Sequence, residues 1–178
     1  MIAIVPAREE HLDGWAALRH ALWDEVSQSE HRAEAEEQLA ETDRLLNLVA
    51  VQGGEVVGFA EGSLRHDYVN GCETSPVVFL EGIFVSEAAR GQGLARRLCD
   101  AVADWGRSRE CTEFASDALA DNPDSHAFHL AAGFAETERV VYFRREIRPC
   151  LSPSSMSPAS AAPRRTPPTR PSWTRSTM

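Results

Sequence analysis

Glu81 stands inside VVFLEGIFV, residues 77 to 85, a run otherwise made of apolar residues and one glycine. An ionised carboxylate in such surroundings is costly unless it faces a polar cleft. Glu81 is therefore a candidate to hold a substrate ammonium and to accept its proton, directly or through water; the bland alternative is a structural carboxylate satisfied by backbone donors. Just downstream, VSEAARGQGLARRL (residues 85 to 98) sets Arg90, Gly91 and Gly93 ahead of an apolar helical pattern. Ordering a glycine costs stability, so this turn needs either a positive φ or a close backbone approach. A glycine-rich entry to a helix leaves unpaired N–H groups and a partial positive charge open to a phosphate. The spacing is neither G-x-x-x-x-G-K-[ST] nor a full G-x-G-x-x-G, so an anion cradle and a tight strand-to-helix turn both stand. His129 can donate a proton near neutral pH, and Tyr142 is a weaker alternative.

The elements that position these residues follow from periodicity. IAIVPA predicts a short strand ended by Pro6. Leu12, Trp15, Leu18, Leu22 and Val26 recur at helical spacing over Glu9 to Val26. SEHRAEAEEQLAE predicts a charged second helix with Ser29 as its cap. LNLVAVQ and EVVGFAEGSLRH read as a hairpin joined by Gly53-Gly54, and VVFLEGIFV as a strand buried on both faces. A helix with Leu94, Leu98, Val102 and Trp105 on one side follows, then the strand CTEFASDA. The next helix has Asn122 as cap, Pro123 at its first position and Gly133 just past its end. AETERVVYFRREI is expected as a closing strand. The order predicts an α/β fold, a mixed sheet with one strand-helix-strand crossover.

One domain, residues 1 to 148, is expected from the 178-residue length. Residues 149 to 178 are dominated by Pro, Ser, Thr, Ala and Arg and read as a disordered tail. With five arginines and no acid in residues 148 to 178, the formal charge of −9 leaves −14 on residues 1 to 147. Such a field repels nucleic acid and anionic lipid and attracts small polycations, although acidity is also a common route to solubility. The tail's arginines lack the aromatic interleaving of a nucleic-acid module beyond Trp173. No run approaches a membrane span and the N-terminus lacks signal-peptide character, so the expectation is a cytoplasmic protein. Cys72, Cys99, Cys111 and Cys150 show neither zinc-ligand nor disulfide-framework spacing and are expected as free thiols, with no metal.

Arg90-x-x-Gly93-x-Ala95, directly after an apolar strand, resembles the acyl-CoA signature of the GNAT acetyltransferase superfamily. A second match follows at the family's distance: a strand from Thr112 to Ala118, then Asn122, then FHLAAGF, which resembles the LYxxxGF helix end. The motifs span residues 77 to 134 and the element order about 1 to 148. The resemblance implies acetyl-CoA as cosubstrate and a GNAT fold, a mixed, mostly antiparallel sheet with splayed central strands and flanking helices. It implies that Arg90, Gly91, Gln92, Gly93, Leu94, Ala95 and Arg96 hold the pyrophosphate through their backbone. Ile83, Phe84 and Val85 would then pair with pantetheine beside a bulge for which Gly82 is the candidate. Asn122 would reach the pantetheine arm, cap its helix, or both. The family's usual tyrosine acid is replaced here by His129.

RHDYVNG, SPVVFLEGIFV, ASDA and GFAETERVVYFR resemble bacterial aminoglycoside 6'-N-acetyltransferases more closely still. That resemblance implies a polycationic sugar in a carboxylate-lined cleft, with Glu81, Asp117 and Glu138 as ammonium or hydroxyl partners. Trp23 and Tyr68 would be flat walls, and the protein a homodimer. Taken singly, Asp117 also reads as a strand-end residue, Glu138 as an exposed strand charge and Trp23 as a helix-face core residue. Two alternatives stand beside this: acetylation of another polyamine, amino sugar or protein N-terminus, and a non-catalytic acyl-CoA-binding module.

Overall fold

The computed structural model describes residues 1–146. The expected tail and Cys150 lie outside them. The described elements are β1 (Ala3–Pro6), α1 (Leu12–Leu22), α2 (Gln28–Gln38), β2 (Leu45–Gln52), β3 (Glu55–Arg65), β4 (Val77–Val85), α3 (Leu94–Ser108), β5 (Phe114–Ser116) and α4 (Pro123–Ala132). The strands form one sheet in the order β1-β2-β3-β4-β5. The first three pairings are antiparallel, and β4 with β5 is parallel, as a helical crossover through α3 requires.

Two cores sit on opposite faces of this sheet. On one, α3 packs Leu94, Leu98 and Val102 against Ala60, Val78 and Leu80. On the other, Leu12, Trp15, Leu22 and Trp23 pack against Val49 and Phe59. Side chains alternate along a strand, so one inserted residue exchanges the faces. That happens once in β4: Leu80 pairs with Gly62 and Gly82 with Glu61, leaving Glu81 as the extra residue. Val78 and Leu80 before it, and Ile83 and Val85 after it, therefore all reach the α3 core. The bulge expected at Gly82 is centred one residue earlier, on the carboxylate itself.

Several boundaries differ from the sequence reading. A short 3-10 turn, Glu9–His11, precedes α1, which ends at Leu22, four residues before the expected limit. Ser27, not Ser29, caps α2: its side chain accepts from the Glu30 N–H while the Glu30 side chain returns to the Ser27 N–H. Ser27-x-x-Glu30 is a capping box, and its reciprocal bonds outweigh what Ser29 offers. β5 is only three residues long. Residues 135–146 form no strand, and Val140, Val141, Tyr142 and Phe143 are exposed. A strand needs an edge to pair with and a face to bury, and β5 offers this segment a very short edge. Cys72, Cys99 and Cys111 are free, and burial pushes the Cys99 thiol up to about 11.

Candidate active site

Pairing between β4 and β5 covers only Val78, Phe79 and Leu80 opposite Phe114, Ala115 and Ser116. Beyond it β4 runs on to Val85 paired with β3 on one side and with no strand on its β5 side among the described residues. The sheet therefore splays at Leu80 and Ser116, leaving the edge of Ile83, Phe84 and Val85 open. At the end of that edge comes the glycine turn. Gly91 and Gly93 have φ of 75° and 68°, and a Cβ on either would meet nothing within 4 Å. The turn needs left-handed backbone, and its surface is open. Gly93 is the N-cap of α3 and offers no side-chain cap bond. The first intrahelical bond in this turn runs from Arg97 N–H to the Gly93 carbonyl, so the N–H groups of Leu94, Ala95 and Arg96 face outward, a fit for a pyrophosphate. Arg90 turns back, its Nε donating to the Val85 carbonyl at 3.1 Å, while Arg96 Nη1 reaches the Ala131 carbonyl at 2.9 Å and ties α3 to α4. Gln92 is exposed.

A cleft of about 1590 Å³ opens on the α1–α2 side of the splay, roomier than the ~300–1,000 Å³ of a pocket for one small molecule. Glu25, Glu30, Glu34 and Glu37 line one wall. Asp117, Glu136 and Glu138 line the other, with Tyr68, Arg65 and Arg139 at its border. A Cβ on Gly71 would collide with the Thr137 hydroxyl, so the loop between β3 and β4 rests on residue 137 at one rim.

Glu81 is 3% exposed and does not itself line the cleft, but its partner Arg65 does. The Ser63 hydroxyl and Arg65 Nε and Nη2 all donate to its Oε1, and Nη2 also reaches Oε2 at 2.8 Å. Burial pushes its carboxyl above the ordinary value, Ser63 and Arg65 pull it back, and Asp117 adds to the rise. A carboxylate raised in this way is a better proton acceptor than a free one. His129 is half-buried. Its Nδ1 lies 2.7 Å from the Ser125 carbonyl, which can only accept, so Nδ1 carries the proton. Nε2 faces the Ser116 hydroxyl at 3.0 Å, and burial pushes the ring's pKa down.

Asn122 caps α4, accepting from the Ser125 N–H at 3.1 Å. Trp23 is not a cleft wall: it is 1% exposed, packed on Phe59 at 6.0 Å between ring centroids and against Gly82. The core reading of that residue is the one that holds: just past the end of α1, it packs inward with Leu12, Trp15, Leu22 and Phe59. The sequence reading missed a buried polar cluster beneath it. Arg19 is fully buried, donates to Glu61 Oε1 at 2.6 Å and to Glu34 Oε2 at 2.8 Å, and lies near the Trp15 and Trp23 rings. His31 joins from α2, its Nε2 2.9 Å from the Trp23 carbonyl. The available signal was an arginine on the apolar stripe of α1 facing a glutamate within a buried strand.

Residues 15–134 match the acetyltransferase (GNAT) family. An aminoglycoside N(6')-acetyltransferase type 1 from Serratia marcescens is 49% identical over 144 residues, 81% of this chain and 99% of that protein. One from Acinetobacter baumannii is 45% identical over 81% of this chain and 98% of its own length. Among solved structures, the apo aminoglycoside 6'-N-acetyltransferase of Acinetobacter haemolyticus superposes with a TM-score of 0.78 at 46% identity, covering 82% of this chain and 99% of that one. The enzyme AAC(6')-Iy bound to a bisubstrate analogue, CoA-S-monomethyl-acetylneamine, superposes with a TM-score of 0.77 at 44% identity, covering 83% and 99%. With an outward-facing helix terminus, an open β4 edge and these relatives in agreement, the chain belongs to the acetyltransferase (GNAT) family.

Proposed function

We propose that this protein transfers the acetyl group of acetyl-CoA to the 6'-amino group of aminoglycosides. The observation that carries the reading is a buried carboxylate set by a β-bulge in the splayed strand β4, bound by an arginine that lines a carboxylate-rich cleft. Bound acetyl-CoA supplies an activated acetyl thioester. The N–H groups at the start of α3 hold its pyrophosphate, and Ile83 to Val85 pair with its pantetheine. Glu81 takes the proton from the substrate ammonium, at or through water near its Oε2, so that the free amine can attack. His129, neutral at rest, serves as the acid for the departing sulfur after its Nε2, which faces the Ser116 hydroxyl, takes up a proton from solvent. Asp117 and Glu138 hold further ammonium or hydroxyl groups, with Tyr68 as a flat wall.

Residues 1–148 are the catalytic domain on this reading, and the protein acts in the cytoplasm; no described helix is long and apolar enough to cross a membrane. The reading includes a homodimer, supported by the exposure of Val140 to Phe143, which reaches 95% at Phe143, since a second copy would remove this apolar run from water. Thiol release from acetyl-CoA with tobramycin, spermidine, an N-terminal peptide and 6'-hydroxyl paromomycin tests the substrate class. Turnover with tobramycin and none with paromomycin is expected. Turnover with the peptide alone would move the chain to another acceptor, and silence with every amine would leave an acyl-CoA-binding module.

A further inference from the structure

The two oxygens of Glu81 are not equivalent. Oε1 takes three donors, the Ser63 hydroxyl and Arg65 Nε and Nη2. Oε2 takes one among the described residues, Arg65 Nη2. A carboxylate oxygen has two lone-pair sites, so Oε1 is saturated and Oε2 keeps capacity. Arg65 is itself fixed: its guanidinium carbon lies 3.4 Å from the centre of the Phe79 ring. Its side chain is 33% exposed and lines the cleft. The strands set this up. Ser63 and Arg65 are two residues apart and so share one face of β3, while the bulge turns Glu81 toward that face.

We propose that Arg65 is the positioning residue for the base: its fork pins Oε1, keeps the carboxylate ionised before substrate arrives and leaves Oε2 as the oxygen that receives the substrate's proton. The inference rests on the assignment of Glu81 as base. The other charged groups around Glu81 are few. Asp117, just beyond β5, opposes its ionisation. Glu61 of β3, opposite Gly82, is engaged with Arg19 from α1. α3 packs its apolar Leu98 and Val102 in the core on the other face of the sheet. Arg65 is thus the cation that sets the charge of Glu81. Lysine cannot replace it fully, because an ammonium is a point donor without the planar fork.

The test titrates the side-chain carboxyl carbons of ¹³C-glutamate-labelled protein without ligands, the Glu81 signal being the one lost in Glu81→Gln. In Arg65→Gln the Glu81 midpoint should move to higher pH, and the acid limb of kcat/KM should move with it. At a pH below the midpoint, kcat should fall about tenfold, the equivalent of one charge-assisted hydrogen bond. Arg65→Lys should restore much of the midpoint and less of kcat. An unmoved Glu81 midpoint in Arg65→Gln overturns the proposal. A midpoint that moves while the kinetic limb stays removes Glu81 as the base, and with it Arg65's part in the reaction, while leaving the ion pair intact.

Discussion

Gly82→Ala is the substitution with the most calculable consequence. A Cβ at Gly82 would lie 2.5 Å from Trp23 Cη2 and 2.7 Å from Cζ2, well inside van der Waals contact. The indole cannot withdraw cheaply, because it packs on Phe59 and beside His31, with the Arg19 guanidinium 5.2 Å from its centre. Forcing one extra methyl into such a core costs about 1–3 kcal/mol, or a fall in Tm of roughly 2–12 °C for a chain of this size. Phenylalanine at position 23 lacks the ring that bears Cη2 and Cζ2. In a Trp23→Phe background Gly82→Ala should therefore cost much less, with a coupling of about 1 kcal/mol or more in the double-mutant cycle. Urea unfolding of the four proteins measures it. Equal costs of Gly82→Ala in the two backgrounds would refute the claim that the indole is what excludes a side chain there. Because Gly82 adjoins Glu81, the single mutant should also lose activity, and Trp23→Phe should return part of it.

Three further substitutions probe separate parts of the account. Arg19→Met should destabilise the protein by about 3–5 kcal/mol, because Glu61 is left buried without its cation; equilibrium unfolding checks this, and a loss below about 1 kcal/mol would contradict the buried pair. Gly93→Ala should cost about 1–2 kcal/mol through its left-handed backbone alone, and Gly93→Asn less; calorimetry should nonetheless show weaker CoA binding in both, since either side chain intrudes on the phosphate approach. Burial lowers the pKa of His129, so the unfolded chain binds more protons in the window below its ordinary value of about 6.5. Stability should therefore rise with pH up to about 6.5 and lose that part of its slope in His129→Gln, read from urea midpoints at pH 5.5 and 7.5; an unchanged slope would mean that the ring is not held neutral.

The elements with strong local signals were legible before the structure. The Gly53-Gly54 hairpin, the apolar β4, and α4 with Asn122 and Pro123 at one end and Gly133 at the other all stand where their residues placed them. Glu81 was legible because a lone carboxylate in an apolar run has few destinations. What the sequence hid depended on contacts distant along the chain. Arg65 looks like an ordinary strand-end charge until the β4 bulge turns Glu81 to meet it. Arg19 and Glu61 are 42 residues apart, and each alone reads as a solvated charge. Trp23 is a cleft wall by resemblance and a core residue by its own position, and its burial against Phe59 and Gly82 decides for the core. The β-branched and aromatic residues of VVYF promised a strand, but composition does not supply the edge that a strand must pair with.

The measurement that bears most directly on the account is the single-turnover rate of Glu81→Gln with acetyl-CoA and neamine, together with its CoA affinity by calorimetry. Removing a positioned general base should lower the rate by about 10²–10⁴-fold, while CoA affinity, set by the α3 terminus and the β4 edge, should stay as in the unmodified protein. A rate within a few-fold of the original, with CoA still bound, would contradict the central claim that the bulged carboxylate takes the proton from the amine.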